Sequence, residues 1–133
     1  MKRVFADSSY FIALLNNRDA GHQRALDHSQ REGVQITTTR WILAELGNSL
    51  SGVAWRSQVG AFIASVTSAR RVDVLGDSDR LFNRGLDLYR ARRDKDWSLV
   101  DCISFQAMSD EGLAEALTAD RHFEQAGFVA LLK

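Results

Sequence analysis

Four acidic residues, Asp7, Glu45, Asp101 and Asp120, sit where widely separated parts of the chain bring carboxylates to positions fit for chemistry. Asp7 follows Val4-Phe5-Ala6 and Asp120 follows Leu117-Thr118-Ala119, so each comes directly after a strand-like run and before a helix-like one. Glu45 lies three residues after Ile42 and beside Leu46, at the edge of an inward-facing helical stripe rather than opposite it. Asp101 belongs to a segment that is apolar almost all round, with Leu99, Val100, Ile103, Phe105, Ala107 and Met108. Such a helix is mostly buried, and a buried carboxylate needs a partner or a cation. Two carboxylates about 6 Å apart at an effective dielectric of about 20 repel by roughly 3 kcal/mol, so a converging quartet calls for protonation or cations. Oxygen donors without a cysteine or histidine array suit Mg²⁺ or Mn²⁺. A hard cation so held activates water and offsets charge on a phosphoryl group, which makes phosphodiester hydrolysis the implied chemistry.

Each acid also has a purely structural role open to it. Asp is a favoured helix N-cap, which suits Asp7 and Asp120. Ser98-Leu99-Val100-Asp101 reads as a capping box. Glu45 at a stripe edge can reach solvent. Capping and chemistry are compatible.

The elements that position these residues alternate between strand and helix patterns. Strands are expected at Arg3–Ala6, Val34–Thr38, Arg71–Leu75, Glu115–Thr118 and Phe128–Leu132. Helices are expected at Ser9–Leu15, Ala20–Glu32 closed by Gly33, Thr39–Leu50, Val53–Ser68, Ser78–Arg93, Ser98–Glu111 ended by Gly112, and Arg121–Ala126 stopped by Gly127. This alternation implies parallel βαβ units in an α/β/α sandwich. Ligands of such sheets bind beyond the carboxyl ends of the strands, which is where Asp7 and Asp120 fall.

Composition narrows the function classes. A chain of 133 residues with no proline and no low-complexity stretch reads as one domain spanning 1–133. With 17 basic and 17 acidic residues the formal charge is zero, which argues against a tight non-catalytic nucleic-acid binder. The single cysteine, Cys102, permits no internal disulfide and reads as a small buried hydrophobe. No apolar run has membrane-spanning or signal-peptide length, so a cytoplasmic location is expected.

The segments Val4-Phe5-Ala6-Asp7-Ser8-Ser9, Ile42-Leu43-Ala44-Glu45-Leu46, Ser98-Leu99-Val100-Asp101-Cys102 and Leu117-Thr118-Ala119-Asp120-Arg121-His122-Phe123, in this order and spacing, resemble the PIN-domain family and its VapC-type toxin ribonucleases. Glu124-Gln125-Ala126-Gly127-Phe128 fits as well, so the resemblance covers essentially the whole chain. It implies a five-stranded parallel sheet and Mg²⁺- or Mn²⁺-dependent cleavage of RNA, such as tRNA or another structured RNA. It also implies a homodimer and a cognate antitoxin protein. It matches Asp7, Glu45, Asp101 and Asp120 to the family's acidic, metal-binding quartet, with Ser8, Asn48 and Ser98 as supporting polar residues. Many PIN domains carry a further acid two residues after the fourth, where this chain has His122, which reads first as an exposed helical histidine and second as a metal ligand.

Three further features bear on substrate and partner. Arg92 and Arg93 lie in the basic run Arg90–Asp96 and are candidate phosphate-positioning residues beside Asp101, as is Arg40 at the start of the Glu45 helix. The same run also reads as cations at a helix C-terminus. Trp41, Trp55 and Phe62 read as core aromatics or as the lining of an antitoxin groove. Against the nuclease stand a non-catalytic PIN-fold partner module and phosphoryl transfer through Asp7. The latter generally wants a lysine after a late strand, and Lys2, Lys95 and Lys133 offer none after the fourth.

Overall fold

The structure, a computed structural model, describes residues 1–76 and 78–133. Its elements alternate along the chain: β1 (Lys2–Ala6), α1 (Ser8–Leu15), α2 (His22–Ser29), β2 (Val34–Thr39), α3 (Arg40–Ser49), α4 (Val53–Ser68), β3 (Val72–Leu75), α5 (Asp79–Ala91), α6 (Leu99–Glu111), β4 (Glu115–Leu117), α7 (Arg121–Gln125) and β5 (Val129–Ala130). The five strands form one sheet in the order β3-β2-β1-β4-β5, and every neighbouring pair is parallel.

The chain builds outward from β1 in one direction through β2 and β3, then returns to add β4 and β5 on the other side. The order therefore reverses between β1 and β4, the place where open α/β sheets form their ligand crevice. Phe5 pairs with Ala116 and Ala6 with Leu117 across that seam. Successive strand side chains point to opposite faces, yet Val4, Phe5 and Ala6 are all buried, as are Ile36, Thr37, Thr38 and Thr39. Both faces of the central strands are therefore covered by helices, which is the α/β/α arrangement the alternation implies.

Two departures from the expected boundaries have local causes. α2 starts at His22 rather than Ala20, because Asp19 Oδ1 accepts from the Gly21 N–H at 2.8 Å and holds a tight turn ahead of it. β5 is two residues long, but its hydrogen bonding to β4 continues: Leu131 N–H donates to Ala116 O and Leu132 N–H to Thr118 O.

The helix that carries Asp101 is fixed mainly by α5. Gly85 lets the two helices approach so closely that a Cβ there would stand 2.9 Å from Ile103 Cα. Arg84 braces the same pair through Asp110 and through Gln106 Oε1 at 2.6 Å. Ile103, Phe105 and Met108 then bury the inner face of α6, with the Phe105 ring edge-on to Phe123 at 5.0 Å. Cys102 is fully buried among them, as a small hydrophobe. Trp41, Trp55 and Phe62 are partly buried and pack against the core. Among the described residues, no helix is long and apolar enough to cross a membrane.

Candidate active site

Asp7 ends β1 at the reversal point and is 5% exposed. It occupies the N-cap position of α1, but its side chain makes no cap hydrogen bond. Its carboxylate is instead held by hydroxyls: Thr118 Oγ1 donates to Oδ2 at 2.9 Å and Ser9 Oγ donates to the same oxygen at 3.0 Å. Burial pushes the Asp7 carboxyl up to about 6; these two hydrogen bonds oppose the shift, and the Glu45 and Asp101 charges add to it. Asp7 therefore stands at the N-cap position without capping a backbone N–H of α1, its carboxylate bonded to hydroxyls instead.

Thr118 joins both strands of the seam. While its hydroxyl donates to Asp7, the same oxygen accepts from the Asp120 N–H at 3.0 Å. Asp120 does act as a cap, its Oδ1 accepting from the His122 N–H at 2.8 Å. Asp101 completes the expected capping box: the Ser98 N–H donates to Asp101 Oδ2 at 3.1 Å and the Asp101 N–H donates to Ser98 Oγ at 3.0 Å. Asp101 is nonetheless 8% exposed, so the cap holds a buried carboxylate in place. From α3, half-buried Glu45 accepts a hydrogen bond from Ser8 Oγ. Burial raises the Glu45 carboxyl above the usual glutamate range; the Ser8 bond opposes this, and the Asp101 and Asp120 charges reinforce it.

These residues line one cavity of about 290 Å³: Asp7, Ser8, Ser9, Ile12, Glu45, Asp96, Ser98, Asp101, Asp120 and His122. Four carboxylates from the ends of β1 and β4 and from α3 and α6 thus meet, together with Ser8 and Ser98. Asn48 stays apart, exposed one turn beyond Glu45 and not lining the cavity. Arg40, exposed as the first residue of α3, also lies outside the lining. Arg92 and Arg93 line a separate, larger groove that shares Asp96 and Ser98 with the acidic cavity.

His122 corrects the expectation of an exposed histidine. Its side chain is 20% exposed, and its Nδ1–H donates to Asp101 Oδ2 at 2.9 Å while lying 3.6 Å from Asp120 Oδ1. One ligand atom from each of Asp101, Asp120 and His122 falls within 4.8 Å of the others. This group, which could hold a metal ion, offers an imidazole nitrogen beside the carboxylate oxygens read from the sequence. Carboxylate oxygens with one imidazole nitrogen fit a divalent cation.

Sequence reasoning also passed over Ser9, Thr118 and Asp96 as site residues. Ser9 and Thr118 carry a usable signal, since each lies two residues from a quartet aspartate at a strand's carboxyl edge. Asp96 carries none, because it is embedded in a run of cations.

No protein-family model matches the chain. The 23S rRNA-specific endonuclease VapC20 of Mycobacterium tuberculosis is 28% identical over 128 residues, covering 95% of each chain. The crystal structure of that protein, described as a sarcin-ricin loop cleaving toxin, superposes with a TM-score of 0.87 at 25% identity, over 95% of this chain and 96% of that one. VapBC2 from Rickettsia felis, bound to a promoter DNA fragment, shares the fold at a TM-score of 0.69 and 13% identity, with 96% of each chain covered. The all-parallel sheet, its reversal point and the cavity there agree with these likenesses: in sequence and in structure, the chain is similar to a VapC-type toxin.

Proposed function

We propose that the chain is a Mg²⁺- or Mn²⁺-dependent endoribonuclease that hydrolyses RNA phosphodiester bonds as the toxin of a type II toxin-antitoxin pair. The observation that carries this reading is the convergence of Asp7, Glu45, Asp101 and Asp120 on one cavity at the sheet's reversal point. Capping accounts for Asp101 and Asp120 but not for Asp7 and Glu45, whose carboxyls are raised by burial and further by the neighbouring acidic charges.

When bound, the cation supplies an activated water and offsets the charge on the phosphoryl oxygens. Asp7, Asp101 and Asp120 would hold it as the main ligands, with His122 close enough to Asp101 and Asp120 to join them. Ser98 fixes Asp101 through the capping box, and Thr118 and Ser9 fix Asp7. Glu45, oriented by Ser8, holds a second ion or orients the attacking water. Arg93, with Arg40 as a further candidate, positions the RNA backbone, while Arg92 braces the loop after α5 through Asp94. By likeness to the M. tuberculosis endonuclease, the substrate is a structured RNA, with rRNA as the first class to test. A cognate antitoxin protein restrains the activity, and the active form is a cytoplasmic homodimer.

The test is incubation of purified, partner-free protein with rRNA and tRNA in Mg²⁺, Mn²⁺ or EDTA, beside folded Asp7→Asn. Discrete metal-dependent fragments absent from the mutant support the nuclease. Mn²⁺ binding without turnover on any of these RNAs supports the non-catalytic partner module instead.

A further inference from the structure

The loop between α5 and α6 forms the wall of an open groove of about 840 Å³, lined by Tyr89, Arg90, Arg92, Arg93, Lys95, Asp96, Trp97, Ser98 and Leu99. It abuts the acidic cavity, since Asp96 and Ser98 line both. The cations divide into two kinds. Arg92 is committed to the fold: its guanidinium bonds Asp94 at 3.0 and 3.1 Å and stacks over the buried Trp97 ring at 4.9 Å. Arg90 and Arg93 are exposed, Lys95 is half-buried, and none of the three forms a salt bridge among the described residues. Tyr89 stands at the same groove with 48% of its surface exposed, one of few large hydrophobic side chains so placed.

We propose that this groove holds an unpaired stretch of the RNA substrate next to the bond that is cut, with one base stacked on Tyr89 and the backbone held by Arg90, Arg93 and Lys95. This rests on the ribonuclease reading above and names the part of the RNA that the site recognises. A cavity lined by acids repels a polyanion, and the protein has no net charge to compensate, so attraction must be local. Arg90, Arg93 and Lys95, beside the acidic cavity and outside the salt bridges among the described residues, supply it. An exposed aromatic among phosphate-binding cations is the arrangement that takes unstacked bases, and A-form duplex does not offer its base faces to such a ring. Arg92 acts as a strut: through Asp94 and Trp97 it fixes the loop that presents its neighbours.

The test is fluorescence anisotropy with Asp7→Asn protein in Mg²⁺, titrated with a labelled single-stranded RNA and a hairpin duplex of equal length across a KCl series. The Arg90→Ser/Arg93→Ser/Lys95→Ser variant is expected to lower the salt slope for the single strand by about 2, three contacts at roughly 0.7 each. Tyr89→Ala is expected to weaken the single strand by about 5- to 100-fold, with the slope and the duplex affinity unchanged, and Tyr89→Phe restores binding. Tyr89, Arg90 and Arg93 are exposed and Lys95 is half-buried, and far-UV circular dichroism checks the fold of each variant. Unchanged affinity and slope overturn the groove, even if wild-type protein cleaves RNA. Equal loss on duplex and single strand overturns the stacking role of Tyr89. The expected binding pattern without cleavage by wild-type protein upholds the groove and rejects the ribonuclease reading.

Discussion

Thr118 Oγ1 donates to Asp7 Oδ2 at 2.9 Å, across a sequence separation of 111 residues, and ties the carboxyl ends of β1 and β4 together at the point where strand order reverses. Because the same oxygen accepts from the Asp120 N–H, one hydroxyl orients two members of the acidic quartet. Replacing it with the isosteric Thr118→Val leaves the packing volume nearly unchanged and removes both bonds. Orienting partners of metal ligands are commonly worth 10- to 100-fold. Thr118→Val is therefore expected to weaken Mn²⁺ binding by about that factor, read by isothermal titration calorimetry. Affinity within twofold of wild type contradicts the positioning role.

Asp7 makes stability depend on pH in an unusual direction. Its folded-state value, about 6, lies above the ordinary 3.8, so the folded protein favours the protonated form. The contribution is fully present below about pH 4 and is lost as pH rises through about 6. In EDTA, Asp7→Asn should therefore raise stability at pH 7.5 by about 1–3 kcal/mol, with the gain vanishing near pH 4. Thermal melts at the two pH values measure this. Divalent cation should stabilise wild type more than the mutant at pH 7.5. A mutant that melts at or below the wild-type temperature in EDTA at pH 7.5 speaks against a buried, uncompensated carboxylate.

The quartet was legible because each aspartate follows an apolar run at a strand's carboxyl edge, and because Glu45 and Asp101 sit on helix faces too apolar to be solvent-facing. The parallel sheet followed from the alternation of strand and helix patterns. Less was legible where a residue's role depends on contacts distant in sequence. His122 looked like an ordinary helical histidine, because its partner Asp101 lies 21 residues away on another helix. Thr118 looked like a strand residue, since nothing local announces a bond to Asp7. Arg92 and Arg93 are adjacent and chemically alike in sequence, and only the Asp94 and Trp97 contacts separate strut from exposed cation.

His122 should tune which cation the site prefers. Imidazole favours Mn²⁺ over Mg²⁺ relative to an all-carboxylate set. His122→Asp is expected to shift the ratio of Mn²⁺ to Mg²⁺ affinities toward Mg²⁺ by about 10-fold, as competition titrations would read. An unchanged ratio means that the histidine serves only to hold Asp101.

Gly85 tests the claim that α5 positions Asp101 through α6. Its missing Cβ allows an approach that even alanine would obstruct, at 2.9 Å from Ile103 Cα and 3.0 Å from Ile103 N. Gly85→Ala is expected to destabilise the fold by about 1–3 kcal/mol, although alanine is the better helix former. Urea denaturation measures the change. A stabilised variant contradicts the close packing of the two helices.

The most direct test of the central claim is cleavage of structured RNA by purified wild-type protein and Asp101→Asn, each with Mn²⁺, Mg²⁺ or EDTA, after circular dichroism shows both folded. Site-specific fragments from wild type with either cation, none in EDTA, and a loss of about 100-fold or more in the mutant are what the acidic site predicts. Cleavage that persists in EDTA, or at the wild-type rate in Asp101→Asn, contradicts it.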